Sequence, residues 1–178
     1  MDELRWVLDQ VPDHSRDVAA SLRKVVDRWS LGPAALWGTA LACAVARRSR
    51  PLAETCDIEA RRAGVAEATL DDARAAAALM TMTAVHYRFA HLVGDGAYAE
   101  QPALLSMKRS ARPAGEPLDY ELFALAVSAL EGCSACVRLH EKKLRAGGRT
   151  PAEIREAVRL AAAVAGVATA LEAARPAS

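Results

Sequence analysis

Residues 120–142 read Tyr120-Glu121-Leu122-Phe123-Ala124-Leu125-Ala126-Val127-Ser128-Ala129-Leu130-Glu131-Gly132-Cys133-Ser134-Ala135-Cys136-Val137-Arg138-Leu139-His140-Glu141-Lys142. The run before Glu131 is dominated by Ala and Leu, the strongest helix formers. Gly132 interrupts it. In the run that follows, Cys133, Cys136 and His140 stand at i, i+3 and i+7, one face of a helix. The unit is a pair of helices joined at a glycine. The rest of the chain uses the same vocabulary: of 178 residues about 40 are alanine, 52% are hydrophobic and only 4% aromatic. Strands favour β-branched and aromatic residues, so this composition predicts an all-α protein.

Working outward, Pro and Gly punctuate a series of helices. The pattern predicts a short helix over 2–10, one capped by Asp13 or Ser15 and running to about Trp29, and one opened by Pro33 and running to about Arg48. Pro51 opens the next, which ends at Gly64. Thr69 is expected to cap a long helix, Leu70 to about Leu92, broken by Gly94-Asp95-Gly96. A shorter helix is expected near Ala99–Met107, then a loop over Arg112–Pro117. Asp119 is expected to cap the helix reaching Leu130, with another from Cys133 to Arg145. Thr150-Pro151-Ala152-Glu153 is a capping box that starts a last helix to about Ala174, with a break at Gly166.

A repeat runs through this series. Leu36-Trp37-Gly38-Thr39-Ala40-Leu41-Ala42-Cys43 resembles Leu122–Ala129, and Glu59–Gly64 resembles Lys142–Gly147, at offsets of 83–86 residues. We read a single-domain helical bundle over 1–178, built from two related halves. The half at 1–110 is non-catalytic and the half at 118–175 carries the Cys-x-x-Cys pair. The length suffices for one domain with a sizeable core.

Twenty-three basic and 22 acidic residues give a net charge of +1, so there is no electrostatic case for nucleic acid or an anionic membrane. The N-terminus MDELRWVLDQ lacks the apolar segment of a secretory signal, and no apolar run approaches the ~20 residues of a membrane span. The expectation is a cytoplasmic protein. In a reducing compartment a Cys-x-x-Cys pair is redox-active or metal-binding more often than a structural staple. Cys43 and Cys56 carry no motif.

Cys133 stands at a helix start, where free amides and the macrodipole favour an anion and lower a thiol pKa. His140 is one turn from Cys136 and can exchange a proton with it. Glu121 precedes Cys133 by 12 residues. If the two helices form a hairpin, its carboxylate can orient His140 and complete a relay. A zinc site would use Cys133, Cys136, His140 and Glu121, but structural zinc draws on two separated ligand pairs and no second cluster exists. An inert buried pair is the remaining reading; the matched spacing around the glycine favours redox chemistry. Glu131, two residues before Cys133, opposes thiolate formation unless it points to solvent. His86, Tyr87, Arg88 and His91 read as a partly buried helix face, with a pocket or subunit interface as the alternative. Trp37, Leu122 and Phe123 read as core or pocket wall, and His14 as exposed. Arg47-Arg48-Ser49-Arg50 complements a helix end. Gly94–Gly96 lacks the context of a phosphate loop.

The pattern Glu121, eleven residues, Cys133-x-x-Cys136, three residues, His140 resembles the alkyl hydroperoxidase D family of the carboxymuconolactone decarboxylase-like group. Ala35–Thr39, Ala126–Ala129 and Leu139-His140-Glu141 share that likeness, which extends over nearly the whole chain. The resemblance implies an all-helical subunit, commonly a homotrimer, that reduces organic hydroperoxides without a bound cofactor or metal. It implies that Cys136 is the peroxidatic thiol and becomes a sulfenic acid. Cys133 then resolves it as a disulfide and donates a proton, while Glu121 and His140 relay protons. It further implies reduction by dihydrolipoyl groups on a lipoyl-bearing acyltransferase, and electron return to a peroxiredoxin, alkyl hydroperoxide reductase C. Helix-start physics alone would make Cys133 the more acidic thiol. This sequence departs from the best-known family pattern in having Ala135 where a histidine separates the cysteines. A non-catalytic redox sensor or adaptor, and a carboxymuconolactone decarboxylase-like enzyme, are the alternative functions.

Overall fold

A computed structural model of the protein describes residues 1–94 and 96–174. Asp95, inside the Gly94–Gly96 punctuation, and residues 175–178, at the end of the expected domain, lie outside the described residues. The described residues form helices and no strand: α1 (Asp2–Asp9), α2 (Arg16–Asp27), α3 (Pro33–Ala46), α4 (Arg50–Arg62), α5 (Glu67–Val93), α6 (Gly96–Ala99), α7 (Lys108–Ala111), α8 (Pro117–Leu130), α9 (Ser134–Ala146) and α10 (Pro151–Ala173). None is long and apolar enough to cross a membrane.

Helices α3 and α8 are the centre of the bundle. Both are apolar nearly all round and are buried from Ala35 to Ala44 and from Asp119 to Ser128, as a helix without a polar face requires. They approach closely because Gly38 leaves room for the Phe123 ring; a Cβ at Gly38 would overlap it. Trp37, Leu122 and Phe123 are core residues. Around this pair pack α4, α5, α9 and α10, with α2 against α10 and α1 against α4.

The α3–α4 and α8–α9 hairpins follow the same backbone course. In each, a proline near the start opens a 14-residue helix, and a 13-residue helix follows. The Ser49 amide donates to the Ala44 carbonyl as the Cys133 amide donates to Ser128. The Val65 amide donates to Ala60 as Arg149 donates to Leu144. Each pair is 84 residues apart. Arg48 (φ 56°) and Gly132 (φ 67°) take the same left-handed conformation at the tight turn.

Several local expectations are corrected. No helix covers 99–107: α6 ends at Ala99 and α7 begins at Lys108. Pro102 removes an amide donor there, and Leu104 sits at φ 51°, outside helical geometry. The long helix begins at Glu67, ahead of Thr69, which is buried within it. Helix α8 begins at Pro117, so Asp119 lies in its first turn and does not cap it. Gly166 does not break α10. A Cβ there would lie 3.2 Å from the Val18 side chain, so the glycine serves close packing against α2.

Candidate active site

Three helices bring the site together. Glu121 comes from α8, Cys136 and His140 from α9, and the C-terminal half of α5 forms the facing wall. On α5 the residues Met80, Thr83, Ala84, Tyr87 and Arg88 recur at helical spacing and form one stripe. Ala84 packs against Cys133 and Cys136 in a small buried cluster. Arg88 donates to the carbonyl of Glu131 at 2.5 Å, fixing the end of α8 one residue before the turn.

Cys133 is the N-cap of α9, and its sulfur accepts from the amide of Cys136 at 3.3 Å. The two cysteine sulfurs are at disulfide distance, with Cα atoms 5.3 Å apart. Their exposure differs in kind. Cys133 has none, whereas Cys136 borders a pocket of about 450 Å³. Met80, Thr83 and Tyr87 of α5 line that pocket, with Met107, Ser110 and Ala111 of the α7 segment and Ala135, Leu139, His140 and Lys143 of α9. The surface is largely apolar. Where the family pattern has an imidazole, this wall carries the Ala135 methyl.

Behind the pocket, His140 Nδ1 lies 2.6 Å from Glu121 Oε2, and Lys143 Nζ donates to Glu121 Oε1 at 2.7 Å. Burial pushes the Glu121 carboxyl up. The hydrogen bonds and charges of His140 and Lys143 outweigh it and hold the group below the usual carboxylate value. Glu121 is therefore an ionised acceptor, and the hydrogen at the Nδ1 contact belongs to the imidazole. His140 Nε2 lies 3.2 Å from the sulfur of Met80.

The α7 segment is tied over the pocket by a buried carboxylate. Asp72 accepts from Arg109 Nε at 2.5 Å, from the Gly115 amide at 2.7 Å and from the Ala114 amide at 3.2 Å. The structure thus brings together the four residues singled out from sequence, Glu121, Cys133, Cys136 and His140. It adds Met80, Thr83, Met107, Ser110 and Lys143, which sequence reasoning did not place in the site, and Tyr87, for which a pocket was the alternative reading. Lys143 carried a readable signal, standing i+3 from His140; the others come from elements distant in the chain. Of the residues read as one face of the long helix, Tyr87 lines the pocket and packs edge-on against His86 at 5.1 Å, while His91 is exposed and off the pocket. Glu131 is half-buried.

The other two thiols contrast sharply. Cys43 and Cys56 are free and buried in the core. Burial keeps both protonated, raising Cys43 strongly and Cys56 to about 12. Among the described residues no group of three or more His, Cys, Asp and Glu is disposed to hold a metal ion.

The carboxymuconolactone decarboxylase family matches residues 97–178. Alkyl hydroperoxide reductase AhpD of Anaeromyxobacter dehalogenans is 45% identical over 172 residues, covering 97% of this chain and 92% of its own length. The proteins of the same name from Bradyrhizobium sp. (strain BTAi1 / ATCC BAA-1182) and Solibacter usitatus are 42% and 38% identical. They cover 93% and 96% of this chain, and 91% and 96% of their own. With such similarity running nearly end to end, and with the glutamate, paired cysteines and histidine gathered at one site beside the pocket, the chain belongs to the AhpD family of the carboxymuconolactone decarboxylase-like group.

Proposed function

We propose that this protein is a thiol-dependent alkyl hydroperoxide reductase that cycles a Cys133–Cys136 disulfide. One observation carries the reading: Cys136 borders an apolar pocket, while Cys133 stands sealed behind it at disulfide distance. An organic hydroperoxide entering the pocket meets Cys136 first. The Cys136 thiolate attacks the distal peroxide oxygen. An S–O bond forms, the O–O bond breaks, and the alkoxide leaves as alcohol with a proton supplied through His140, which Glu121 orients. The Cys136 sulfenic acid then reacts with the Cys133 thiol. An S–S bond forms and water departs with the Cys133 proton.

A dithiol of the dihydrolipoyl class resets the site. Its thiolate attacks the accessible Cys136 sulfur and Cys133 leaves as thiolate; the second thiol of the donor completes the exchange and departs as a disulfide. The Cys136 amide on the Cys133 sulfur stabilises that leaving thiolate. Helix-start acidity at Cys133 and peroxide attack at Cys136 thus serve different half-reactions. The reading includes a lipoyl-bearing acyltransferase as electron donor and a peroxiredoxin as electron acceptor. It also includes a homotrimer, for which Val85, Phe89 and Leu92 offer an exposed apolar face on α5.

The test is steady-state reduction of tert-butyl hydroperoxide with dihydrolipoamide as donor. Sustained turnover with one dithiol consumed per peroxide is the expected result. A single stoichiometric oxidation without turnover would replace the enzyme reading with a redox sensor.

A further inference from the structure

We propose that Met80 is a positioning residue of this site, its thioether accepting the Nε2 hydrogen of His140 and holding the ring for proton delivery. The inference rests on the peroxide-reductase reading and adds a third helix to its machinery. Three observations carry it. Met80 Sδ is 3.2 Å from His140 Nε2, a hydrogen-bonding distance for nitrogen and sulfur. Met80 is buried yet lines the same pocket as Cys136. The opposite ring nitrogen is already committed, because Nδ1 donates to the ionised Glu121 carboxylate at 2.6 Å.

A thioether offers only a weak acceptor. It satisfies the Nε2 hydrogen only when that nitrogen carries one. The ring therefore hangs between two acceptors on two other helices, Glu121 of α8 and Met80 of α5, and cannot turn without losing both. A soft acceptor suits proton transfer better than a carbonyl or carboxylate would. It fixes the direction of N–H yet yields the hydrogen when a stronger acceptor forms beside it. When the O–O bond breaks, electrons flow from the Cys136 thiolate to the distal oxygen. The departing alkoxide then displaces the Met80 sulfur as acceptor and takes the Nε2 proton. No electron passes through Met80, whose sulfur stays a thioether.

Two variants and one spectrum test this. Met80→Leu conserves volume and removes the acceptor. Met80→Gln keeps the length and restores one. In the dithiol-reduced wild type, nitrogen-15 NMR of histidine-labelled protein should show a bonded, exchange-protected hydrogen at His140 Nε2. In Met80→Leu that protection should be lost, and kcat should fall about tenfold, the loss of one hydrogen bond to a reacting group, with KM little changed. Met80→Gln should recover the protected hydrogen but only part of the rate, because its amide carbonyl holds that hydrogen more firmly than the thioether does. A Met80→Leu enzyme that melts and turns over like wild type with His140 signals unmoved would overturn the proposal. So would a wild-type Nε2 without a bonded hydrogen, a measurement that needs no variant to fold. Absence of peroxide turnover in wild type would instead count against the reductase reading, and the spectrum would still judge the His140–Met80 contact.

Discussion

Hairpin α3–α4 and hairpin α8–α9 trace one backbone course at an offset of 84 residues, over very different side chains. Where the second carries Glu121, Cys133, Cys136 and His140, the first carries Trp37, Ser49, Leu52 and Cys56. Trp37, Leu52 and Cys56 are buried in the main core. What covers the second helix of each pair also differs. Helix α1 packs on α4, and Glu59, the counterpart of Lys143, accepts from the amides of Glu3 and Leu4 at the start of α1. Helix α9 instead faces the pocket beneath α5 and the α7 segment. The hairpin supplies a helix start with free amides in both halves. Chemistry needs a thiol at that start and an opening above it, and only the second half has both.

Breaking the two halves at matched positions should therefore give opposite phenotypes. The largest contrast is expected between Cys136→Ser and Leu52→Ala. The first should lower peroxide turnover by at least about 10³-fold while the protein stays folded. The second should cost about 2–5 kcal/mol in chemical denaturation, with kcat per folded molecule unchanged. Next in size, His140→Asn should lower kcat by about 10²-fold, read in the same assay. Cys56→Ala, at the matching site, should leave kcat untouched.

Glu121→Gln should lower kcat by about tenfold, through loss of a charge-assisted hydrogen bond to His140. It also has a pH signature. The folded carboxyl lies below its ordinary value, so its ionisation stabilises the fold above the unfolded value of about 4.3. That contribution is lost as pH falls through the folded value. The stability gap between wild type and Glu121→Gln, followed by denaturant melts, should narrow as pH falls below about 4.3.

The smallest effects are expected at the turn. Gly132→Ala should cost about 1 kcal/mol, all of it backbone strain, because nothing lies within 4 Å of a Cβ there. Arg48→Gly should stabilise by up to about 1 kcal/mol through relief of the same strain. Thermal melts of the two single variants read both signs.

Much of this was legible in the sequence because it depends on local chemistry. Pro33 opens a helix, Gly64 ends one in a left-handed turn, and Thr150 and Glu153 form the reciprocal cap. The offset was visible to within two residues from Leu36–Cys43 against Leu122–Ala129. The spacing of Cys133, Cys136 and His140 put them on one face, and the hairpin brought Glu121 to the ring. Failures came where distant contacts decide. The stretch 99–107 carries apolar residues at helical spacing, but Pro102 and the left-handed Leu104 leave it non-helical, and the segment after it is held by Asp72 from α5. Gly166 looked like a stop because a glycine written in a string does not show the Val18 side chain it accommodates. Met80 falls within the long helix expected from Leu70 to about Leu92, with nothing in its neighbours to single it out. Its contact with His140 spans 60 residues and no local pattern announces it.

The central claim is that Cys136 meets the peroxide and Cys133 does not. It is tested most directly by trapping the sulfenic acid with dimedone in Cys133→Ser and Cys136→Ser after one equivalent of tert-butyl hydroperoxide, with the labelled residue mapped by mass spectrometry. The account predicts a dimedone adduct on Cys136 in Cys133→Ser and an intact Cys133 thiol in Cys136→Ser. An adduct on Cys133 forming at a comparable rate would contradict it.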